Sequence, residues 1–186
     1  MSIDVEIWIE KNAEKFLKEI GVKKGMRVLD FGCGKGHYVI PLSKVVGKEG
    51  IVLGIDKDKE TLRELSEIIE ERNFSNIRLI EADLFIPLKN SCVDAVLCYD
   101  VIHYFKDRKN LYTQIYRILK KDGFLSLYPK HNKEDFPLME LAYINIQEIE
   151  KEVKECGFKL KNKIFIKCLH DESLNDCLIL NFHPLK

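Results

Sequence analysis

Three glycines alternate near the start of the chain, at positions 32, 34 and 36, directly after an apolar run that contains Asp30. Glycine has no Cβ and tolerates positive φ, so backbone with this spacing can pass very close to a ligand. Twenty residues beyond Gly36, a second apolar run over 51–55 ends at Asp56. A glycine loop after one strand and a carboxylate after the next predict a nucleoside site, in which the carboxylate holds the ribose hydroxyls.

The glycine spacing separates two classes of nucleoside cofactor. A dinucleotide fingerprint reads G-x-G-x-x-G, and its third glycine allows close packing of helix on strand. Counted from Gly32, that third glycine would stand at position 37, which is His37. The chain instead reads G-x-G-x-G, which disfavours a dinucleotide-dependent oxidoreductase.

This loop resembles the first motif of the class I S-adenosylmethionine-dependent methyltransferases, in which an acidic residue and one further residue precede G-x-G-x-G. Segments 81–84, 93–98 and 119–124 resemble later motifs of that family, in the same order. The resemblance is close over residues 20–130 and points to the small-molecule, methyltransferase-11-like branch. It implies an enzyme that uses S-adenosyl-L-methionine as its cofactor.

The resemblance also implies which residues contact the cofactor. Asp56 would accept hydrogen bonds from both ribose hydroxyls, since a carboxylate has two acceptor oxygens. Asp83 and the backbone N–H of Leu84 would lie at the adenine, and the methylene stem of Lys57 would cover its face. The other predicted contacts, mostly at the methionine end, are Asp30, Gly32, Cys33, Gly34, His37 and the Tyr99 backbone.

Several of these residues have ordinary structural alternatives. Asp56 and Asp83 could cap turns or helices, and His37 could be a solvated residue at a helix N-terminus. Cys33 is expected to serve as a small residue in the loop and not as a nucleophile. The two carboxylates after successive strands favour ligand contact because both follow the same glycine loop.

The methyl acceptor is expected above the fourth and fifth strands. Asp100, His103 and Tyr104 follow the fourth strand, and His131 follows the fifth. His103 and His131 are the predicted general bases, because histidine titrates near neutral pH. The N-terminal helix with Trp8 and a short insertion at 130–145 are expected to close over this space.

Three functions from different classes remain open. The first is methyl transfer to a small molecule, since no Asn/Asp-Pro-Pro-aromatic motif for base amino groups follows the fourth strand. The second is a non-catalytic S-adenosylmethionine-binding partner subunit, which the short substrate cover allows. The third is the dinucleotide-dependent oxidoreductase.

Composition limits the remaining choices. The length of 186 residues predicts one domain, with 1–24 as an N-terminal helical cover. The formal net charge is +0, and the sequence has no stripe of basic residues of the kind that binds nucleic acid. The six cysteines include no C-x-x-C pair, so neither a structural metal nor a disulfide is expected. Apolar runs are too short to span a bilayer. We therefore expect a cytoplasmic monomer or homodimer with no membrane or dedicated nucleic-acid-binding region.

The order of the elements predicts an α/β fold. Helices are expected at 6–20, after the glycine loop, after Asp58, at 108–120 and at 146–156. Strands are expected at 26–31, 51–55, 77–81, 95–99 and 124–128, with a closing antiparallel pair at 158–169 and 176–183. Alternating β and α units favour a Rossmann-like, doubly wound, mostly parallel sheet of seven strands.

Overall fold

A computed structural model describes residues 2–83, 85–133, 141 and 143–186. Its seven strands form one sheet in the order β3-β2-β1-β4-β5-β7-β6. All neighbouring pairs from β3 to β5 are parallel, whereas β7 runs antiparallel to both β5 and β6. The strands are β1 Arg27–Phe31, β2 Ile51–Asp56, β3 Ile77–Glu81, β4 Val93–Tyr99, β5 Leu119–Tyr128, β6 Phe158–His170 and β7 Ser173–Pro184. The predicted doubly wound sheet with a C-terminal antiparallel hairpin is confirmed.

Helices cover both faces of the sheet. They are α1 Ile3–Ile7, α2 Ala13–Glu19, α3 Val39–Val46, α4 Lys59–Glu71, α5 Arg108–Ile118 and α6 Ile146–Glu155. Side chains of α1 to α4 pack into one buried cluster, and those of α5 and α6 pack into a second cluster on the opposite face. Strand β4 lies at the centre, and six of its seven residues are buried, as expected for a parallel strand covered on both faces.

The N-terminal helix begins earlier than predicted and is not regular. Ser2 caps it by accepting a hydrogen bond from the Val5 amide, and a π-helical segment, Trp8–Asn12, separates α1 from α2. Trp8 is fully buried between Phe16 and Tyr38. The prediction that this residue closes over the acceptor space is therefore wrong, because its indole belongs to the core.

The predicted helix over 108–120 ends two residues early. Leu119 adopts an extended conformation and pairs with Val93 as the first residue of β5. The apolar side chain of Leu119 fits the helical spacing of α5, so periodicity alone assigned it to the helix. Helix α6 agrees with the prediction and is stabilised by a capping box between Asn145 and Glu148.

Strands β6 and β7 form a long hairpin, and a disulfide joins Cys168 to Cys177 across it. The expectation that no disulfide forms is wrong for this pair. The two cysteines lie near diagonal positions of the ladder with their Cα atoms 5.8 Å apart, a separation that a disulfide spans. Register between two strands decides this proximity, and sequence spacing does not reveal it.

The tip of this hairpin is fastened to the first half of the chain. The phenol of Tyr38 donates to the Leu169 carbonyl oxygen at 2.8 Å, and the Leu174 amide donates to Asp4 at 3.0 Å. Glu172 accepts from the Lys35 ammonium at 3.0 Å through its side chain. These contacts hold the tip against the edge of the sheet where β1, β2 and β4 end. Within the described residues, no helix is long and apolar enough to cross a membrane.

Candidate active site

The glycine loop follows β1 and is hydrogen-bonded to the end of β2. The amides of Gly32 and Cys33 both donate to the Ile55 carbonyl oxygen, at 2.8 and 2.9 Å. Gly32 has a φ of +78°, and a Cβ added there would lie 2.2 Å from Cγ2 of Val101. Glycine is required at this position because both its conformation and its contact with Val101 exclude a side chain.

Asp56, the last residue of β2, faces the same loop. Its Oδ2 accepts a hydrogen bond from the Gly34 amide at 2.8 Å, and its Oδ1 accepts from the Asp58 amide at 3.0 Å. Asp58 in turn caps α4 by accepting from the amides of Glu60 and Thr61. The carboxylate of Asp56 thus fixes the loop and lies on the cleft at the same time.

Asp30 is buried at the end of β1, with 3% of its surface exposed. Burial, and secondarily the negative charge of Asp56, raise the pKa of the Asp30 carboxyl to about 7. Its Oδ2 has no hydrogen-bond partner among the residues that the structure describes. A buried acceptor beside a cleft is suited to a cationic or hydrogen-bond-donating ligand group.

A cleft of about 680 Å³ lies above the carboxyl ends of β1, β2 and β4. Its size falls in the range of small-molecule and cofactor sites. Nine of the ten predicted cofactor residues line it: Asp30, Gly32, Cys33, Gly34, His37, Asp56, Lys57, Asp83 and Tyr99. Leu84 lies outside the described residues. The structure thus brings these side chains together, and their individual contacts with the cofactor stay predictions.

Some of these residues are held by neighbours as well as facing the cleft. Burial raises the pKa of the Cys33 thiol, with a further contribution from Asp30, so this cysteine is a poor nucleophile. The Tyr99 phenol is hydrogen-bonded to Ser126 at 2.7 Å. The Lys57 ammonium lies 5.6 Å from the ring centroid of Tyr104, which is 63% exposed. Lys57 therefore has an aromatic neighbour on the rim of the cleft.

His37 contacts both the cleft and the N-terminal helix. The residue lines the cleft, and burial, with a smaller effect from the charge of Lys35, lowers the pKa of its imidazole. Its carbonyl oxygen accepts the indole N–H of Trp8 at 2.9 Å. The N-terminal helix therefore supports the glycine loop from behind.

The two predicted general bases do not lie on the cleft surface. His103 and His131 are absent from its lining, and both are buried behind Asp100, which does line it. The Nδ1 atom of His103 and the Nε2 atom of His131 lie 3.5 and 3.3 Å from Oδ1 of Asp100. Both histidines are predicted to reach an acceptor in the cleft directly. The structure instead places them behind Asp100, away from the cleft surface.

His170 is a further residue of this site, which the sequence patterns did not predict. This residue ends β6, lines the cleft, and places its Nε2 atom 2.8 Å from Oδ2 of Asp100. The hydrogen bond to Asp100 raises the pKa of the His170 imidazole against the opposing effect of burial. Its position directly before the predicted hairpin turn was an available signal, since that turn lies at the same edge of the sheet as the glycine loop.

Comparisons with known proteins agree with this arrangement. A family model described as a methyltransferase domain matches residues 22–175. The demethylmenaquinone methyltransferase of Staphylococcus aureus is 26% identical over 177 residues, covering 86% of this chain and 72% of the relative.

Solved structures share the fold. A SAM-dependent methyltransferase from Aquifex aeolicus superposes with a TM-score of 0.77 at 23% identity, covering 95% of this chain and 91% of that one. A chain from a structure described as a complex between the Haloferax volcanii Trm112 methyltransferase activator and a methyltransferase gives a TM-score of 0.76 at 16% identity, with 100% of both chains covered. The family match spans the whole glycine loop and most of the sheet and hairpin. Together with these structures, it shows that the chain belongs to the class I S-adenosylmethionine-dependent methyltransferases.

Proposed function

We propose that the protein transfers the methyl group of S-adenosylmethionine to a small-molecule acceptor bound between Asp100, Tyr104 and His170. The observation that carries this proposal is the continuity of the cleft, which runs from the glycine loop and Asp56 to these three residues. The cofactor would occupy the glycine-loop end. The remaining space at the other end would admit a compact acceptor, not a folded macromolecule.

The proposed cofactor pose follows from the charges on the cleft. The ribose hydroxyls would donate to Asp56, and the α-ammonium group of the methionine moiety would lie near Asp30, whose buried Oδ2 accepts from none of the described residues. The adenine would lie toward Asp83 and Lys57, which are both exposed on the rim. This pose directs the sulfonium toward Asp100.

Methyl transfer is then an in-line displacement. A nucleophilic electron pair of the acceptor forms a bond to the methyl carbon while the carbon–sulfur bond breaks, and sulfur keeps the bonding pair as S-adenosylhomocysteine. Positioning and exclusion of water supply most of the rate enhancement for such a good leaving group. An acceptor that carries a proton must also lose it, and Asp100 and His170, which line the proposed acceptor end, would take up that proton and pass it to solvent.

We assign His103 a positioning role in this scheme, because it contacts Asp100 and not the cleft. His131 contacts the same carboxylate from the end of β5. Replacing either histidine by alanine should lower kcat while the KM for S-adenosylmethionine stays within about twofold, roughly 0.4 kcal/mol. The pH profile of kcat should also change in each of these variants, and a purely structural defect would not cause that change.

The experiment that tests the proposed function measures S-adenosylhomocysteine formation with a set of acceptors. Demethylated quinones are the first to test, because the Staphylococcus aureus relative is named for demethylmenaquinone. The other arms contain hydroxylated aromatic compounds, small thiols, bulk transfer RNA and an unfolded protein. Turnover confined to small molecules would support the proposal. Turnover confined to RNA or protein, with or without an added partner subunit, would contradict it.

A further inference from the structure

We infer that Asp100, His131 and His170 form a binding site for a divalent transition-metal ion at the acceptor end of the cleft. No metal is expected from the sequence, since the cysteine pattern offers none of the usual zinc spacings. The three residues lie 31 and 39 positions apart along the chain. The fold brings them together because β4, β5 and β6 all end at the same edge of the sheet.

The separations between the donor atoms fit a single ion. Nε2 of His131 lies 3.3 Å from Oδ1 of Asp100, and Nε2 of His170 lies 2.8 Å from Oδ2 of Asp100. One donor atom from each of the three residues lies within 4.8 Å of the other two. Ligands bound to zinc at about 2.0–2.1 Å in a tetrahedron are about 3.3 Å apart, so only small side-chain adjustments are needed.

The donor set indicates the class of metal. Two imidazole nitrogens and one carboxylate oxygen suit zinc, iron, cobalt or manganese, whereas calcium and magnesium prefer oxygen ligands alone. Three protein ligands leave at least one coordination position open, as in catalytic metal sites. That position would face the cleft, because Asp100 and His170 line it while His131 is buried behind them.

The backbone at two of the three positions is also unusual. Asp100 and His131 have φ values of +54° and +63°. Left-handed conformations are unfavourable for a residue with a Cβ, and such residues cluster at functional sites. Asp100 directly follows β4, and His131 lies three residues after β5, so both follow strands that end at this edge of the sheet.

His103 would support the site without being a required ligand. Its Nδ1 atom lies 3.5 Å from Oδ1 of Asp100, and its ring meets that of His131 edge to face at a centroid distance of 4.9 Å. Groups that contact metal ligands fix the orientation of those ligands. Three of the five histidines in the chain thus surround one aspartate.

The consequence for catalysis rests on the proposed function. An ion in this position would bind an oxygen, nitrogen or sulfur atom of the acceptor and lower its pKa, so that the acceptor loses its proton to solvent before the methyl carbon arrives. The acceptor would therefore be a hydroxyl, thiol or amine compound able to ligate a metal. The binding site itself does not depend on that chemistry.

Metal binding can be measured directly on untagged, chelator-treated protein. Titration with Co²⁺, followed by its visible absorption, and with Zn²⁺, followed by calorimetry, should show one ion bound per chain. His170→Gln and Asp100→Asn should each weaken that affinity at least tenfold and reduce the Co²⁺ absorption. His183→Ala is the matched control, because His183 lies on β7 with its Nδ1 atom 2.7 Å from the Gly123 carbonyl oxygen, and it should bind the ion as tightly as the wild type.

Two results would overturn the inference. One is a wild-type protein that binds neither ion, which would leave a hydrogen-bonded aspartate–histidine network in place of a metal site. The other is equal affinity in the wild type, His170→Gln and Asp100→Asn, which would place the ion elsewhere, for example on free cysteines. Parallel titration with S-adenosylhomocysteine separates this test from the proposed function, because loss of nucleoside binding would leave the metal result unaffected.

Discussion

The carboxylate of Asp56 accepts a hydrogen bond from the backbone N–H of Gly34 across 2.8 Å. The residue predicted to hold the ribose therefore also holds the glycine loop, which is predicted to contact the cofactor. Substitutions at this position should affect both cofactor affinity and the stability of the fold.

Asp56→Ala is expected to weaken S-adenosylhomocysteine binding by roughly 1.5–3 kcal/mol, because it removes a charge-assisted acceptor for two hydroxyls. Stability should fall by about 1–2 kcal/mol, since the Gly34 and Asp58 amides lose their acceptor. Calorimetry and urea unfolding measure the two effects. Asp58→Ala is the matched control: it removes the cap of α4, and should lower stability by about 1 kcal/mol while leaving nucleoside affinity unchanged. Wild-type affinity in Asp56→Ala would place the ribose elsewhere.

Asp30 should make the stability of the ligand-free protein depend on pH. Its pKa is raised from 3.8 to about 7 in the folded state. Between those values the folded protein holds a proton that the unfolded chain releases, so the free energy of unfolding falls as pH rises from about 4 to about 7. Over this pH range, Asp30 lowers the free energy of unfolding by about 4 kcal/mol at most. Urea unfolding of wild type and Asp30→Asn over this range should show a difference that changes with pH, and parallel curves would contradict the prediction.

The same carboxyl should link cofactor binding to pH with the opposite sign. The cationic ammonium group of the ligand favours ionised Asp30, so binding near neutral pH should release a proton. As the pH falls from 8 to 6 and Asp30 becomes protonated, the dissociation constant for S-adenosylhomocysteine should rise about tenfold. Calorimetry in buffers of different ionisation enthalpy counts the proton. Asp30→Asn should bind more weakly, with no such pH dependence.

Gly32 and Gly34 provide a paired test of the loop. Gly32→Ala should cost roughly 2–5 kcal/mol of stability, because a Cβ would meet Val101 at 2.2 Å and the φ of +78° disfavours alanine. Adding Val101→Ala should recover part of that loss. A Cβ at Gly34 meets nothing within 4 Å, and only its φ of +45° opposes alanine. Gly34→Ala should therefore cost about 1 kcal/mol of stability but impair cofactor binding, which thermal melts with and without S-adenosylhomocysteine can separate.

The disulfide between Cys168 and Cys177 should stabilise the hairpin that carries His170. Closing a loop of nine residues by a disulfide corresponds to about 2–3 kcal/mol in the chain-entropy description. Reduction, or Cys168→Ser with Cys177→Ser, should lower stability by that amount. Thiol titration of the denatured protein should find four free thiols before reduction and six afterwards. Six thiols before reduction in protein purified under oxidising conditions would contradict the pairing.

The sequence by itself determined the parts of the molecule that depend on short-range spacing. Two local patterns are examples: the alternating glycines at 32, 34 and 36, and the carboxylate of Asp56 after the next strand. Glycine permits positive φ and close approach of the backbone, and a carboxylate accepts hydrogen bonds, so each pattern can be interpreted without knowing the fold. Apolar runs and helical periodicity similarly predicted all seven strands. They misplaced the end of α5 because Leu119 suits both a helix face and a buried strand.

Tertiary structure decided what depends on contacts between distant segments. The convergence of His131 and His170 on Asp100 arises because three strands end at one edge, and no spacing along the chain encodes that meeting. The Cys168–Cys177 pair depends on the register of β6 against β7 in the same way. Trp8 looked like a lid residue in the sequence, but its apolar ring gains more from full burial than from facing a cleft, and its N–H finds an acceptor at His37.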